Sequence, residues 1–164
     1  TKDKILCAKY RKGHFEGVLA VINQFLKTIK PKYMFLGKKD FQQLYLIKKF
    51  IKKKFKTKIV SCKTIRDKKM VALSSRNNLL NNKDLILSSR VAKLLFKFKQ
   101  KLSKNFNKIN QIKKIKDEIN KIENIDLEYL EIRNKFDLSK KINKYNFKIF
   151  VAYYNRNVRL IDNY

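Results

Sequence analysis

Two amphipathic helical patterns alternate with two short apolar runs between His14 and Cys62. Phe15, Val18, Leu19, Ile22, Phe25, Leu26 and Ile29 recur at steps of three and four. This spacing predicts a helix from about His14 to Lys30 with one apolar face, stopped by Pro31. Tyr33-Met34-Phe35-Leu36 is a continuous apolar run ending at Gly37, which reads as a buried parallel strand. Asp40 can cap a second helix whose Phe41, Leu44, Ile47, Ile51 and Phe55 face inward. Lys58-Ile59-Val60-Ser61-Cys62 is the next strand. Helix, strand, helix, strand at these lengths is the cadence of a parallel sheet with helices on its faces.

Beyond Asn77-Asn78 the character changes. Asn81 or Asn82 can cap a long helix carrying Leu87, Val91, Leu94, Leu95, Phe98 and Leu102, and a weaker polar helix comes after it around Gln111–Glu123. Three strand-like runs come next: Leu127–Arg133, Phe147–Tyr154 and Val158–Ile161. The last two are joined by Asn155-Arg156-Asn157, a hairpin turn in which Asn is expected to take the positive φ. The expected architecture is α/β over residues 1–77 and a small α+β domain over residues 78–164.

Composition narrows the function classes. A chain of 164 residues that is 44% hydrophobic and 12% aromatic can bury a real core, which excludes disorder as its main description. Three Gly and two Cys exclude collagen-like and disulfide-scaffold folds. No apolar run approaches the roughly 18 residues of a membrane-spanning helix. The start, Thr1-Lys2-Asp3-Lys4, carries no initiator Met and no signal-peptide apolar region, so an internal cut is expected there. The net charge of +29 invites a nucleic-acid partner, since clustered Lys and Arg release counterions from phosphates. The excess is mostly Lys spread along the whole chain, however, which suits solvated faces better than a binding stripe. Cys7 and Cys62 stand far apart without further ligands at metal spacing. No zinc site is expected; they read as reduced cytosolic thiols, with Cys62 buried.

Three segments could carry chemistry. Gly37-Lys38-Lys39-Asp40-Phe41-Gln42-Gln43 occupies a strand-to-helix turn, the place where open α/β sheets bind ligands. Gly37 lets a ligand approach the backbone, Lys39 offers a mobile cation suited to a triphosphate, and Asp40 can accept from ribose hydroxyls. Gln43 lies three residues on, on the same helix face, where its amide could hold a hydroxyl or carboxylate of a second substrate. The same residues equally suit a capped helix with surface lysines. Ala72-Leu73-Ser74-Ser75-Arg76-Asn77 combines hydroxyls, backbone amides and a guanidinium able to clasp phosphate oxygens, although taken alone it also reads as a polar loop. His14, the only histidine, reads as a structural hydrogen-bonder or cap rather than a general base. Neither a Ser-His-Asp spacing nor a glycosidase-like carboxylate pair is present.

These segments resemble the pantothenate synthetase (pantoate–β-alanine ligase) family. Its RPGHFxGV stretch is matched by Arg11-Lys12-Gly13-His14-Phe15-Glu16-Gly17-Val18, and its GEKDxQQL by Gly37-Lys38-Lys39-Asp40-Phe41-Gln42-Gln43-Leu44. Its SSRN loop is matched by Ala72-Leu73-Ser74-Ser75-Arg76-Asn77. Its closing EIRD and RLIDN pieces resemble Glu131-Ile132-Arg133-Asn134 and Arg159-Leu160-Ile161-Asp162-Asn163. Only the later part of the family pattern is covered; the HxGH motif and the rest of the first half have no counterpart in these residues.

The resemblance implies a Rossmann-like nucleotidyltransferase domain remnant and a cytoplasmic, homodimeric enzyme. It joins (R)-pantoate to β-alanine with ATP and Mg²⁺, through a pantoyl adenylate. ATP-binding roles fall on Gly37, Lys38, Lys39, Asp40, Ile65, Leu73, Ser74, Ser75 and Arg76, and pantoate binding on Gln43. Lys39, Ser74, Ser75 and Arg76 would act on the phosphates, the last three on a loop resembling the KMSKS loop of related enzymes. The missing half would be supplied in cis or in trans, and the chain alone would be inactive. No resident metal site and no membrane partner are expected. Lys38 stands for the family's Glu, Lys12 and Lys63 for Pro, and Met70 for Gly. Two further readings compete: a basic nucleic-acid-binding protein on a decayed ligase scaffold, and another adenylyl- or cytidylyl-transferase of the same fold.

Overall fold

The computed structural model describes residues 5–164; Thr1-Lys2-Asp3-Lys4, where a cut is expected, lies outside the described residues. The chain divides into two compact units, Thr1–Thr64 and Ile65–Tyr164. The segment 65–77 thus groups with residues 78–164. Arg66 bridges to Ala72, and its guanidinium pairs with Asp162 at the far end of the chain.

In the first unit a short helix α1 (Cys7–Tyr10) precedes α2 (His14–Ile29), β1 (Tyr33–Gly37), α3 (Phe41–Lys54) and β2 (Lys58–Cys62). The α2 helix stops where expected. Lys30 turns left-handed at φ 48°, its amide donates to the Leu26 carbonyl, and Pro31 cannot continue the ladder. The strands β1 and β2 pair in parallel, Tyr33 opposite Lys58 and Gly37 opposite Cys62, with α3 as the crossover. Leu26, Ile47 and Ile51 form the core, with Met34, Leu36 and Ile59 of the sheet packed against it.

The expected burial of β1 is corrected. Tyr33 and Phe35 are 46% and 68% exposed, because α2 and α3 cover only the face bearing Met34, Leu36 and Ile59, and successive side chains point to opposite faces. The expected burial of Cys62 is corrected for the same reason: it falls on the open face of β2 and is exposed, while Cys7 in α1 is buried.

In the second unit α4 (Asn82–Lys104) and α5 (Ile112–Asn120) precede an antiparallel sheet. It is ordered β3 (Ile125–Asn134), β4 (Phe147–Asn155), β5 (Val158–Asn163). Of the two candidate caps, Asn81 is the one used: its side-chain oxygen accepts from the Asp84 amide at 2.9 Å. Leu95, Phe98 and Leu102 of α4 pack with Ile115 and Ile119 of α5 against Leu130, Ile149 and Val151 of the sheet.

The β4–β5 turn departs from expectation. The residue at positive φ is Arg156 (51°), not an asparagine. Asn155 remains in β4, fully buried, and its amide donates to the Asp84 carbonyl at 2.7 Å and to Ser88 Oγ at 2.9 Å. Arg156 in turn donates through Nε to Asp84 Oδ1 at 2.9 Å. These tertiary bonds offset the roughly 1–2 kcal/mol that a left-handed non-glycine residue costs. Among the described residues no helix is long and apolar enough to cross a membrane.

Candidate functional site

Parallel pairing brings the carboxyl ends of β1 and β2 side by side at Gly37 and Cys62. The chain leaves β1 through a single 3-10 turn, Lys38–Asp40, and enters α3 at Phe41. Gly37 is extended (φ −70°, ψ 136°), and a Cβ built on it would meet nothing within 4 Å. Neither backbone strain nor crowding within the chain therefore demands glycine here. Lys38 and Asp40 are exposed and Lys39 is half-buried. Asp40 occupies the N-cap position of α3, but its side chain makes no capping hydrogen bond, which corrects the expected cap. The 3-10 turn replaces the extended entry that a capping side chain needs.

The two glutamines that open α3 have different tasks. Gln42 is buried, donating from Nε2 to the Ile5 carbonyl at 2.9 Å and accepting at Oε1 from the Ala8 amide at 3.4 Å. Gln43 is only half-buried, in the turn after Asp40. Adjacent helical residues point about 100° apart, so one glutamine fastens the segment before α1 and the next faces elsewhere. The structural role of Gln42 is the feature the sequence did not disclose. His14 is held as expected, with its Nε2 2.8 Å from Arg11 Nη1 at the start of α2.

In the second unit Ile65 and Leu73 close a narrow loop, the Leu73 amide donating to the Ile65 carbonyl at 2.9 Å. Both side chains are exposed. Asp67 Oδ1 accepts from the amides of Lys69 and Val71, and Met70 sits at φ 72°. The Met70 carbonyl receives Arg66 Nη1 at 3.0 Å, while the same guanidinium grips Asp162 through two bonds of 2.6 and 2.9 Å. Burial works against the charge on Arg66, but the bonds and attraction to Asp162 prevail and hold its pKa above the ordinary value.

Past this loop the chain forms a 3-10 segment, Ser75–Leu79. Ser74 Oγ accepts from the Arg76 amide at 3.3 Å, Ser75 is exposed, and Asn77 Nδ2 donates to the Ala72 carbonyl at 3.1 Å. Arg76 spends one guanidinium nitrogen on the Arg159 carbonyl at 2.8 Å, and Arg159 is itself paired with Glu128. Ser74, Ser75 and Arg76 are thus gathered on one short, hydrogen-bonded segment.

The family model described as pantoate-beta-alanine ligase matches residues 1–164. The chain belongs to that family. Among the relatives of this ligase-family chain, the pantothenate synthetase of Francisella philomiragia is 36% identical over 165 residues. That alignment covers 98% of this chain and 53% of the relative. The pantothenate synthetase of Flavobacterium psychrophilum is 31% identical, covering 94% of this chain and 56% of the relative. The pantoate-beta-alanine ligase of Francisella tularensis, whose structure was solved with beta-gamma ATP and beta-alanine, superposes with a TM-score of 0.77 at 33% identity. The match spans 98% of this chain and 54% of that one. The Thermus thermophilus pantothenate synthetase shares the fold, with a TM-score of 0.87 at 23% identity, over 98% of this chain and 59% of its own.

The chain spans about half the length of the curated relatives it matches. The expected α/β class stands: a two-stranded parallel sheet and a separate three-stranded antiparallel one. Among the family departures, Met70 adopts a left-handed backbone at φ 72°, and Lys38 places its charge reversal at an exposed position.

Proposed function

We propose that these residues serve an enzyme that condenses (R)-pantoate with β-alanine to pantothenate, driven by ATP. The pantoate carboxylate attacks the α-phosphorus, giving pantoyl adenylate as pyrophosphate leaves. The β-alanine amine then attacks the acyl carbon, loses a proton and expels AMP. Negative charge grows on the α-phosphate and the departing pyrophosphate in the first step, and donors fixed in advance lower that barrier most. Residues 1–77 carry the ATP- and pantoate-binding groups, and residues 78–164 supply the small α+β domain.

The observation that carries this reading is the family match over residues 1–164. The local geometry supports it. The space beside Gly37 is open, and the Asp40 carboxylate is not consumed by capping α3. In this reading Gly37 and Asp40 receive the ribose, Lys39 faces the phosphates, Lys38 lies at the exposed margin of the nucleotide site, and Gln43 binds pantoate. Ile65 and Leu73 border the nucleotide, and Ser74, Ser75 and Arg76 bind phosphate oxygens. Arg76 retains guanidinium donors beyond the one given to Arg159, enough for a bidentate grip. Among the described residues no three His, Cys, Asp or Glu groups converge. In this reading Mg²⁺ arrives on the triphosphate and neutralises part of its charge.

The family's HxGH motif is absent from these 164 residues, so turnover requires it in cis or in trans. The complete enzyme is read as a cytoplasmic homodimer. The test is pantothenate formation by the chain alone and mixed with the HxGH-bearing half of the Francisella philomiragia relative. Product only in the mixture is expected. Turnover by the chain alone removes the HxGH requirement, and pyrophosphate release with other acids but not pantoate removes the substrate assignment.

A further inference from the structure

We propose that a cavity at the amino-terminal edge of the β1–β2 sheet binds a small organic anion with an apolar body, in chemical class a medium-chain carboxylate. The cavity measures about 510 Å³, within the range of small-molecule sites. It lies where the chain enters both strands, at the opposite end of β1 from Gly37, and so stands or falls separately from the ligase reading.

Its floor is apolar: the half-buried Pro31 and Phe55 supply the accessible surface, backed by Leu26 of the core. Thr57 Oγ1 donates to the Pro31 carbonyl at 2.7 Å, joining the two connections that form its walls.

The rim is cationic. Five of the nine lining residues are lysines, none is acidic, and all five lysines are exposed. The chain as a whole has 42 Lys and Arg among 164 residues, so the charge is denser here than on average. Two of them lean on aromatic rings: Lys32 Nζ is 5.6 Å from the Tyr33 centroid, and Lys54 Nζ is 5.0 Å from that of Phe50. Lys27, Lys30 and Lys56 are left to face an anion.

A structural explanation exists for part of this charge. Helices α2 and α3 both end beside the cavity, and lysines complement helix C-termini. Each terminus carries only about half a negative charge, however, so five ammonium groups leave a large positive surplus. An apolar floor beneath that surplus fits an alkyl chain with one carboxylate better than a small hydrophilic ion, whose hydration the floor would strip without return.

Titration of the ¹⁵N-labelled chain with decanoate, decanol and acetate tests this. The expected result is saturable decanoate binding with shifts confined to residues 26–32 and 54–57, weakened about tenfold by Lys30→Glu/Lys56→Glu and by raised salt. Circular dichroism checks that the variant is folded, and Lys83→Glu/Lys93→Glu on α4 is the charge-matched control. Decanol binding as tightly as decanoate overturns the anionic requirement, and acetate binding as tightly overturns the apolar one. Shifts spread over α4, an equal loss in the control variant, or no saturable binding below about 1 mM overturn the site itself.

Discussion

Removing the Asp162 carboxylate should unsettle the second unit more than any surface substitution. In Asp162→Ala the Arg66 guanidinium loses bonds of 2.6 and 2.9 Å and is left with the Met70 carbonyl at 3.0 Å, the Asn163 carbonyl at 3.4 Å and the Tyr164 side chain. The side chains are 8% exposed at Asp162 and 19% at Arg66, so the stranded cation remains largely out of water, against the Tyr164 ring at 4.6 Å. Orphaning one partner of a buried pair costs about 3–5 kcal/mol, and the residual exposure of Arg66 places this case near 3. For a unit the size of Ile65–Tyr164 that corresponds to a fall in Tm of roughly 10–20 °C. Urea unfolding followed by circular dichroism measures it. Replacing both partners with apolar residues, Arg66→Met/Asp162→Leu, should recover at least half the loss, because the unpaired charge disappears. A single-variant loss below about 1 kcal/mol, or a double variant that costs the sum of the singles, would refute the reasoning.

The same geometry carries other expectations. Met70→Gly relieves a left-handed backbone worth about 1–2 kcal/mol but loosens the unfolded chain by about 0.5–1, so a net gain near 0.5–1 kcal/mol is expected in the urea midpoint. A loss would mean that the methionine side chain contributes more than its backbone costs. Burial holds the Tyr153 and Tyr164 phenols above their ordinary value near 10. Their contribution to stability is therefore complete below about pH 10 and declines as the pH rises towards the raised values, since the unfolded chain releases these protons first. Tyr153→Phe should flatten that decline, and an unchanged pH profile of unfolding would count against it. In the complemented enzyme, Gln43→Ala should raise KM for pantoate about tenfold while leaving KM for ATP within about twofold, the scale of one lost hydrogen bond. An equal effect on both reassigns Gln43.

The order of elements was readable because the local signals agreed with the tertiary outcome. Phe15, Leu26, Ile47 and Ile51 fall at helical spacing, and each is buried in the first unit. Pro31 and Asn81 terminate and start helices where their chemistry requires. The failures occur where a distant partner decides. An unbroken apolar run reads as doubly buried, yet Tyr33 and Phe35 face away from the helices packed on β1. At the β4–β5 turn a propensity rule favours asparagine, but Asn155 is worth more inside, bonded to Asp84 and Ser88 some seventy positions earlier. No window of local sequence contains that pairing.

The candidate site shows the same division in sharper form. Motif spacing located the Gly37–Gln43 turn and the Ser74–Arg76 segment, because both depend on consecutive residues. It could not show what steadies the second of them. Asp162 and Arg159 were legible only as family-like letters and Arg66 drew no reading at all, whereas in the fold they form the supports behind residues 70–76: Asp162 orients Arg66, Arg66 holds the Met70 carbonyl, and the Arg159 carbonyl receives Arg76. Asp67 completes the arrangement by accepting two amides across the Met70 turn. A left-handed methionine can then stand where the family pattern has glycine, since the neighbours fix its backbone and leave its own preference little weight. Charge at Arg76 is accordingly directed by a residue more than eighty positions away, and a substitution at Asp162 should register at residues 70–76 before it registers in the sheet.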